Sequence, residues 1–137
     1  MVAPGATIRD VGDGPQRSGR VFKTAWFAKA ARKAHIQDEE LCSAIRQVMV
    51  GQADDVGGGV FKKRLRKNQY RSIIIARTRQ FWVYEYLFAK QDRANIDDDE
   101  LADYRTLVKA YASLTAHHVN QLLRDEDWME ICNGNQA

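Results

Sequence analysis

Residues 59–93, GVFKKRLRKNQYRSIIIARTRQFWVYEYLFAKQDR, hold three strand-like runs separated by three-residue polar breaks, and they constrain the fold more than any other part. Breaks this short join antiparallel neighbours, because a parallel return needs a crossover of a dozen residues or more. Side chains alternate along a strand, so Phe61, Lys63 and Leu65 are expected on one face and Lys62, Arg64 and Arg66 on the other. The second run, YRSIIIAR, is apolar on both faces at its centre, the pattern of an interior strand. In the third, Trp82, Tyr84, Tyr86 and Phe88 alternate with Phe81, Val83, Glu85 and Leu87.

The same stretch is where the positive charge sits. Residues 62–93 carry ten Lys/Arg against two acids, residues 1–61 eight against seven, and residues 97–130 three against nine, so the net charge of +3 conceals a cationic sheet. The strand repeat spaces Lys62, Arg64 and Arg66 about 7 Å apart, near the spacing of phosphates along a nucleic-acid strand. A local cationic surface with tyrosines among the charges points to a polyanion partner, above all RNA.

Around this centre, the 137 residues predict one domain. Residues 1–20, rich in Gly and Pro, read as a flexible extension, with Arg9, Arg17 and Arg20 as a weak candidate for a basic arm. Residues 21–137 form the folded unit. Residues 21–27 predict a first strand and residues 28–34 a short helix. A helix capped by Asp38 follows, with Leu41, Ile45 and Val48 on its buried side and Gly51 as its stop. Residues 52–59 read as loop. Asp97 and Glu100 form a capping box with Ile96 and Leu101 as staple, Thr115 caps a fourth helix, and residues 128–131 read as a short final strand. The expected class is α+β: a small antiparallel sheet of about four strands, two N-terminal helices and the C-terminal helices packed on one face. The other face would then carry the cations.

Several chemistries are not expected. Cys42 and Cys132 are too far apart in sequence for a zinc motif or a disulfide framework, which fits a reducing cytoplasm. His117 and His118 are adjacent and diverge by about 100° on a helix, and His35 stands alone, so no metal or other cofactor is expected. No GxSxG is present, and the triple glycine 57–59 precedes a strand rather than a helix. No apolar run is long enough to span a membrane, and no secretion signal is evident. The cations themselves can bind a phosphate backbone or catalyse. RNA supplies its own nucleophile, the 2′-hydroxyl, so an enzyme need only move protons and stabilise charge on the phosphorane. Crowding lowers lysine pKa values towards a usable base, and arginine forks match phosphate oxygens. The competing reading is that these are solvated strand residues that discourage edge pairing.

The run Lys62-Lys63-Arg64-Leu65-Arg66, then Tyr70-Arg71 opening a β-branched strand, then Ala89-Lys90-Gln91-Asp92-Arg93 followed by Ala94-Asn95-Ile96, resembles the core of RelE-superfamily toxins. With the early FKTAWF and the GGGV before the basic strand, it is similar to the HigB-like, phage-associated branch over about residues 21–131. The resemblance implies a RelE-like (microbial-ribonuclease-like) fold and a cytoplasmic type II toxin. Such a toxin is an mRNA interferase, a metal-independent endoribonuclease that inhibits translation by cutting mRNA in the ribosomal A site. It is neutralised by an antitoxin, for this branch typically a helix-turn-helix protein. By position, the resemblance assigns Lys62 and Arg64 to proton transfer and charge stabilisation and Arg71 to clamping the scissile phosphate. Arg66, Lys90 and Arg93 become backbone contacts. Apart from the resemblance, Tyr84 or Tyr86 is a candidate for base stacking from the aromatic face of its strand, against the competing reading that both pack in the sheet. The chain departs from the family pattern at Gln69, Gln91 and Asp97, where glycine, arginine and tyrosine are usual. Two alternatives stand beside this reading: a ParE-like toxin that binds gyrase, and a phage-derived protein that has kept the fold without the activity.

Overall fold

The computed structural model describes residues 19–77 and 80–132. The expected flexible extension lies, up to residue 18, outside the described residues, as do Arg9 and Arg17. Arg20 instead opens β1 (Arg20–Thr24) and pairs with Glu130 at 3.0 Å. The chain continues through α1 (Ala25–Lys33), α2 (Asp38–Met49), β2 (Asp54–Asp55), β3 (Val60–Leu65), β4 (Tyr70–Arg77) and β5 (Phe81–Ala89). It closes with α3 (Asp98–Ala112), α4 (Ala116–Arg124) and β6 (Trp128–Ile131).

The α+β class holds, but the sheet is larger than expected and mixed. Its six strands run in the order β2-β3-β4-β5-β1-β6. β3, β4 and β5 form the antiparallel meander that their short breaks require. β1 is not an edge appendage: it lies between β5, to which it is parallel, and β6, to which it is antiparallel. The crossover through both N-terminal helices supplies the length that a parallel pairing needs. β1 is also shorter than expected. Thr24 Oγ1 accepts a bond from the Phe27 N–H at 3.0 Å, so the threonine caps α1 and the apolar run that follows is helical.

Helices cover both faces of the sheet, not one. On the first face α1 and α2 pack Phe27, Ala31, Leu41, Ile45 and Val48 against Ile74, Trp82, Tyr84 and Leu87. On the second, α4 and the end of α3 cover Phe22, Phe81, Val83 and Trp128, while the start of α3 covers Val60, Ile73 and Phe88. The cause is the two-sided apolar centre of β4: Ile73, Ile74 and Ile75 are all fully buried. An uncovered second face would leave about 1.5–3 kcal/mol of burial unrealised per large side chain. α3 reaches the sheet by seating on the glycine run. A Cβ on Gly59, whose φ is +89°, would lie 2.9 Å from Val108 Cγ1 and 3.0 Å from the Ala76 carbonyl oxygen. Arg105 donates to the Val56 and Gly57 carbonyls beside it.

The cysteines also differ from expectation: Cys42 of α2 and Cys132, just after β6, form a disulfide with a Cα–Cα distance of 5.3 Å. Ninety residues separate them in sequence, yet β6 returns beside β1 and the fold brings the two thiols together. No helix among the described residues is long and apolar enough to cross a membrane.

Candidate functional site

With both faces covered, the cations that β3 and β4 place on the second face are Lys62, Arg64 and Arg71, while Arg20 of β1, on the same face, is paired with Glu130. Ladder register sets Arg64 directly opposite Arg71, and Lys62 opposite Ile73 two residues along. Like charges directly opposite each other are destabilising. Among the described residues, neither arginine nor Lys62 forms an ion pair. Two of the three are instead oriented by neutral oxygens. Arg71 Nη1 donates to the Asn68 carbonyl at 2.8 Å and the Tyr70 carbonyl at 3.4 Å, and Lys62 Nζ donates to Asn95 Oδ1 at 3.0 Å.

The turn beneath Arg71 is conformationally costly. Arg66, Lys67 and Asn68 have φ values of 54°, 52° and 78°, the left-handed region, which costs non-glycine residues roughly 1–2 kcal/mol each. The Asn68 side-chain oxygen is buried without a hydrogen-bond partner among the described residues. Leaving β3 this way also sends Arg66 to the wrong side for the expected row of three cations. Its backbone N–H and Nε donate to Glu40 at 2.7 and 3.2 Å, and Nη2 donates to the His35 carbonyl. Arg66 ties the turn to α2 and does not line the cationic corner.

Lys63 lies on the α1/α2 face, where its ammonium donates to the Gln52 carbonyl at 2.9 Å. Its pKa is lowered by partial burial and by Arg64, against an opposing pull from Asp54. The crowding expected to lower a lysine pKa therefore acts on a side chain facing away from Arg71.

Lys90 is exposed, and its backbone N–H donates to Gln69 at 2.9 Å, which brings the end of β5 beside the β3–β4 turn. Arg93 is committed elsewhere. Its fork meets both Glu100 oxygens at 3.0 and 2.5 Å, Nε donates to the Asn95 carbonyl, and the guanidinium lies 5.5 Å from the Phe88 ring centroid. The bonds to Glu100, and after them the one to the Tyr86 hydroxyl, raise the Arg93 pKa. Glu100 is held below the usual carboxylate range, first by Arg93 and then by the Asp97 N–H. Arg93 thus pins the segment between β5 and α3.

The two tyrosines part company. Tyr84 is fully buried, its hydroxyl donates to the Leu41 carbonyl at 2.7 Å, and burial raises its pKa. It cannot stack on a base. Tyr86 is half-buried on the opposite face because a bulge at Glu85 shifts the alternation: Ile73 pairs with Tyr86, but Ile74 with Tyr84. Glu85 and Tyr86 consequently point to the same side, Glu85 accepting from the Tyr111 hydroxyl at 2.8 Å and Tyr86 accepting from Arg93 at 3.4 Å. Trp26, which the sequence reading placed inside a strand, stacks on Tyr86 with ring centroids 5.0 Å apart. The signal for it was present: once Thr24 is recognised as a cap, Trp26 falls off the Phe27/Ala28/Ala31 stripe of α1.

Asp97, at the position where the family pattern has tyrosine, caps α3 by accepting from the Glu100 N–H at 2.8 Å, and Gln91 is exposed. Among the described residues no three His, Cys, Asp or Glu side chains converge on one point.

No curated protein and no solved structure matches the chain. The family model described as the RelE toxin of the RelE/RelB toxin–antitoxin system matches residues 19–131, from the start of β1 to the end of β6 and so across all six strands and the cationic corner. The chain belongs to the RelE family of toxins from toxin–antitoxin systems.

Proposed function

We propose that this toxin is a ribosome-dependent mRNA endonuclease of the HigB-like branch, acting in the cytoplasm and cutting without a metal ion. The observation that carries the reading is the corner formed by Lys62, Arg64 and Arg71. These cations share one face, form no ion pair among the described residues, and sit above a turn strained at three successive residues. A fold that tolerates opposed arginines and left-handed residues at one place concentrates its local costs where a phosphate would relieve the first of them.

In the proposed reaction the 2′-hydroxyl loses its proton and its oxygen attacks the adjacent phosphorus. The bond to the 5′ oxygen breaks, and that oxygen takes up a proton, leaving a cyclic phosphate and a 5′-hydroxyl. Lys62 and Arg64 serve proton transfer and charge stabilisation, and Arg71 holds the phosphate in its fork. Lys90 extends the backbone contact. Arg93 and Tyr86 support the site from behind, since each already has protein partners. The cognate antitoxin, a helix-turn-helix protein, would silence the toxin by covering or distorting this corner.

A second reading is favoured by Gln91 and Asp97: a phage-derived relative that keeps the fold but has lost the general acid and the stacking tyrosine. Mapping mRNA 5′ ends after brief induction without antitoxin separates the readings. New ends in register with codons, dependent on translation and lost in Lys62→Ala/Arg71→Ala, are the expected result. Growth arrest with intact message would point to a bound target such as gyrase. Neither arrest nor cleavage would leave the inactive relative.

A further inference from the structure

Two large apolar side chains stand out into solvent among the described residues, Trp26 at 53% and Val50 at 72% exposure. Val50 is the residue at which α2 ends. Trp26 has more definite surroundings. Its indole lies on the Tyr86 ring at an interplanar angle of 29°, and Tyr86 in turn contacts Phe88 and Tyr104 with centroids 5.8 and 6.4 Å away. Trp26 is therefore the outer rung of a fixed aromatic ladder. The other two tryptophans, Trp82 and Trp128, are 4% and 3% exposed and show where an indole goes when it serves only the core.

The ladder lies in line with the cations. Tyr86 pairs with Ile73 across one ladder and Ile73 with Lys62 across the next. Lys62 and Tyr86 are thus two strand spacings apart, about 10 Å. Arg64, Arg71 and Phe88 form the neighbouring row on the same face. A single-stranded polynucleotide offers a charged backbone and flat bases side by side, and sites that bind it combine a cationic track with aromatic faces.

We propose that the exposed face of Trp26 is a stacking platform for one unpaired nucleobase of the RNA whose backbone runs over Lys62, Arg64 and Arg71. The proposal rests on the RNA-directed reading above and adds to it the residue that holds a base. Every base has a π face, so the platform positions the strand without reading its sequence.

The test is fluorescence anisotropy of a short labelled single-stranded RNA, 2′-O-methylated so that it is not cut. It is titrated with the full chain as wild type, Trp26→Ala, Trp26→Phe and Arg71→Ala. Trp26→Ala should bind roughly tenfold more weakly, with Trp26→Phe recovering most of the loss. The salt dependence of Trp26→Ala should match wild type, since no phosphate contact is removed, whereas that of Arg71→Ala should be shallower. Unlabelled RNA should quench wild-type tryptophan fluorescence, because Trp26 is the exposed emitter. If Trp26→Ala binds like wild type while Arg71→Ala is weakened, the platform is overturned and the RNA reading stands. Trp26→Phe binding no better than Trp26→Ala also overturns the platform. Wild type that does not bind the RNA, alone or with ribosomes present, overturns both.

Discussion

Against one face of the sheet, α1 and α2 bury Phe27, Ala28, Ala31, Leu41, Cys42, Ala44, Ile45 and Val48; against the other, α3 has no buried residue of its own and α4 has Val119 alone. Both layers are fastened: the α3 side by Arg105 to the Val56 and Gly57 carbonyls, Arg93 to Glu100 and Tyr111 to Glu85. The disulfide, the Tyr84–Leu41 bond and the Arg66–Glu40 bridge all secure the α1/α2 layer. Opposed arginines that form no ion pair among the described residues, and an outward-facing indole, lie on the other side. The first layer is the more deeply buried, and the second, with more of its surface exposed, carries the cationic corner. The difference teaches that a basic strand need not act as a unit: Lys62 and Arg64 belong to the second side, while Lys63 and Arg66 work for the first.

The contrast can be broken at several places. The largest effect should come from Arg71→Ala, with cleavage falling by about 100-fold or more if the guanidinium stabilises the phosphorane. Thermal melting should stay close to wild type, because among the described residues the Arg71 guanidinium bonds to the carbonyls of Asn68 and Tyr70 in its own turn. On the opposite layer, reducing the Cys42–Cys132 bond, or Cys42→Ser, should cost about 2–4 kcal/mol, since it closes a long loop. Denaturant unfolding with and without reductant measures this, and unchanged midpoints would show that the layer holds without the link. Tyr84→Phe should cost about 1 kcal/mol by removing one buried hydrogen bond, leaving RNA binding as in wild type. A loss of RNA binding with an unchanged midpoint would reverse the assignment of the two layers.

The smallest expected effect is a pH dependence on the more exposed side. Burial raises the Glu85 pKa and the Tyr111 hydroxyl partly offsets that rise, so the folded chain keeps this proton to a higher pH than the unfolded chain. The resulting stabilisation is complete below the unfolded carboxylate pKa and disappears as pH rises through the folded one. Glu85→Gln should therefore flatten the stability profile across that window and gain on wild type above it. Parallel profiles for the two proteins would contradict the assignment.

Local signals in the sequence were enough where a structure depends on neighbours in the chain. The capping box at Asp97, the cap at Thr115, the β3–β4–β5 meander and the final strand were legible because each is decided within a few residues. α2 begins one residue off, with Gln37 as its cap and Asp38 in its first turn. What escaped was decided at a distance. Glu40 and Glu100 draw Arg66 and Arg93 away from the cationic set, and a single bulged residue moves Tyr86 off the face that alternation gives it. Cys42 and Cys132 meet only because β6 returns beside β1. The cationic corner itself was visible as charge, but which cations remain unpaired was not.

The central place of β1 has a consequence for how the toxin is made. Its Val21 pairs on one side with Trp82 and on the other with Ile131. A chain emerging from the ribosome therefore offers its first strand long before either partner exists. The sheet closes only after nearly everything through Ile131 has been translated, and such distant pairings form slowly. The sheet is thus incomplete until Ile131 has been made, which gives a partner translated alongside the toxin time to reach the chain before β1 is locked in place.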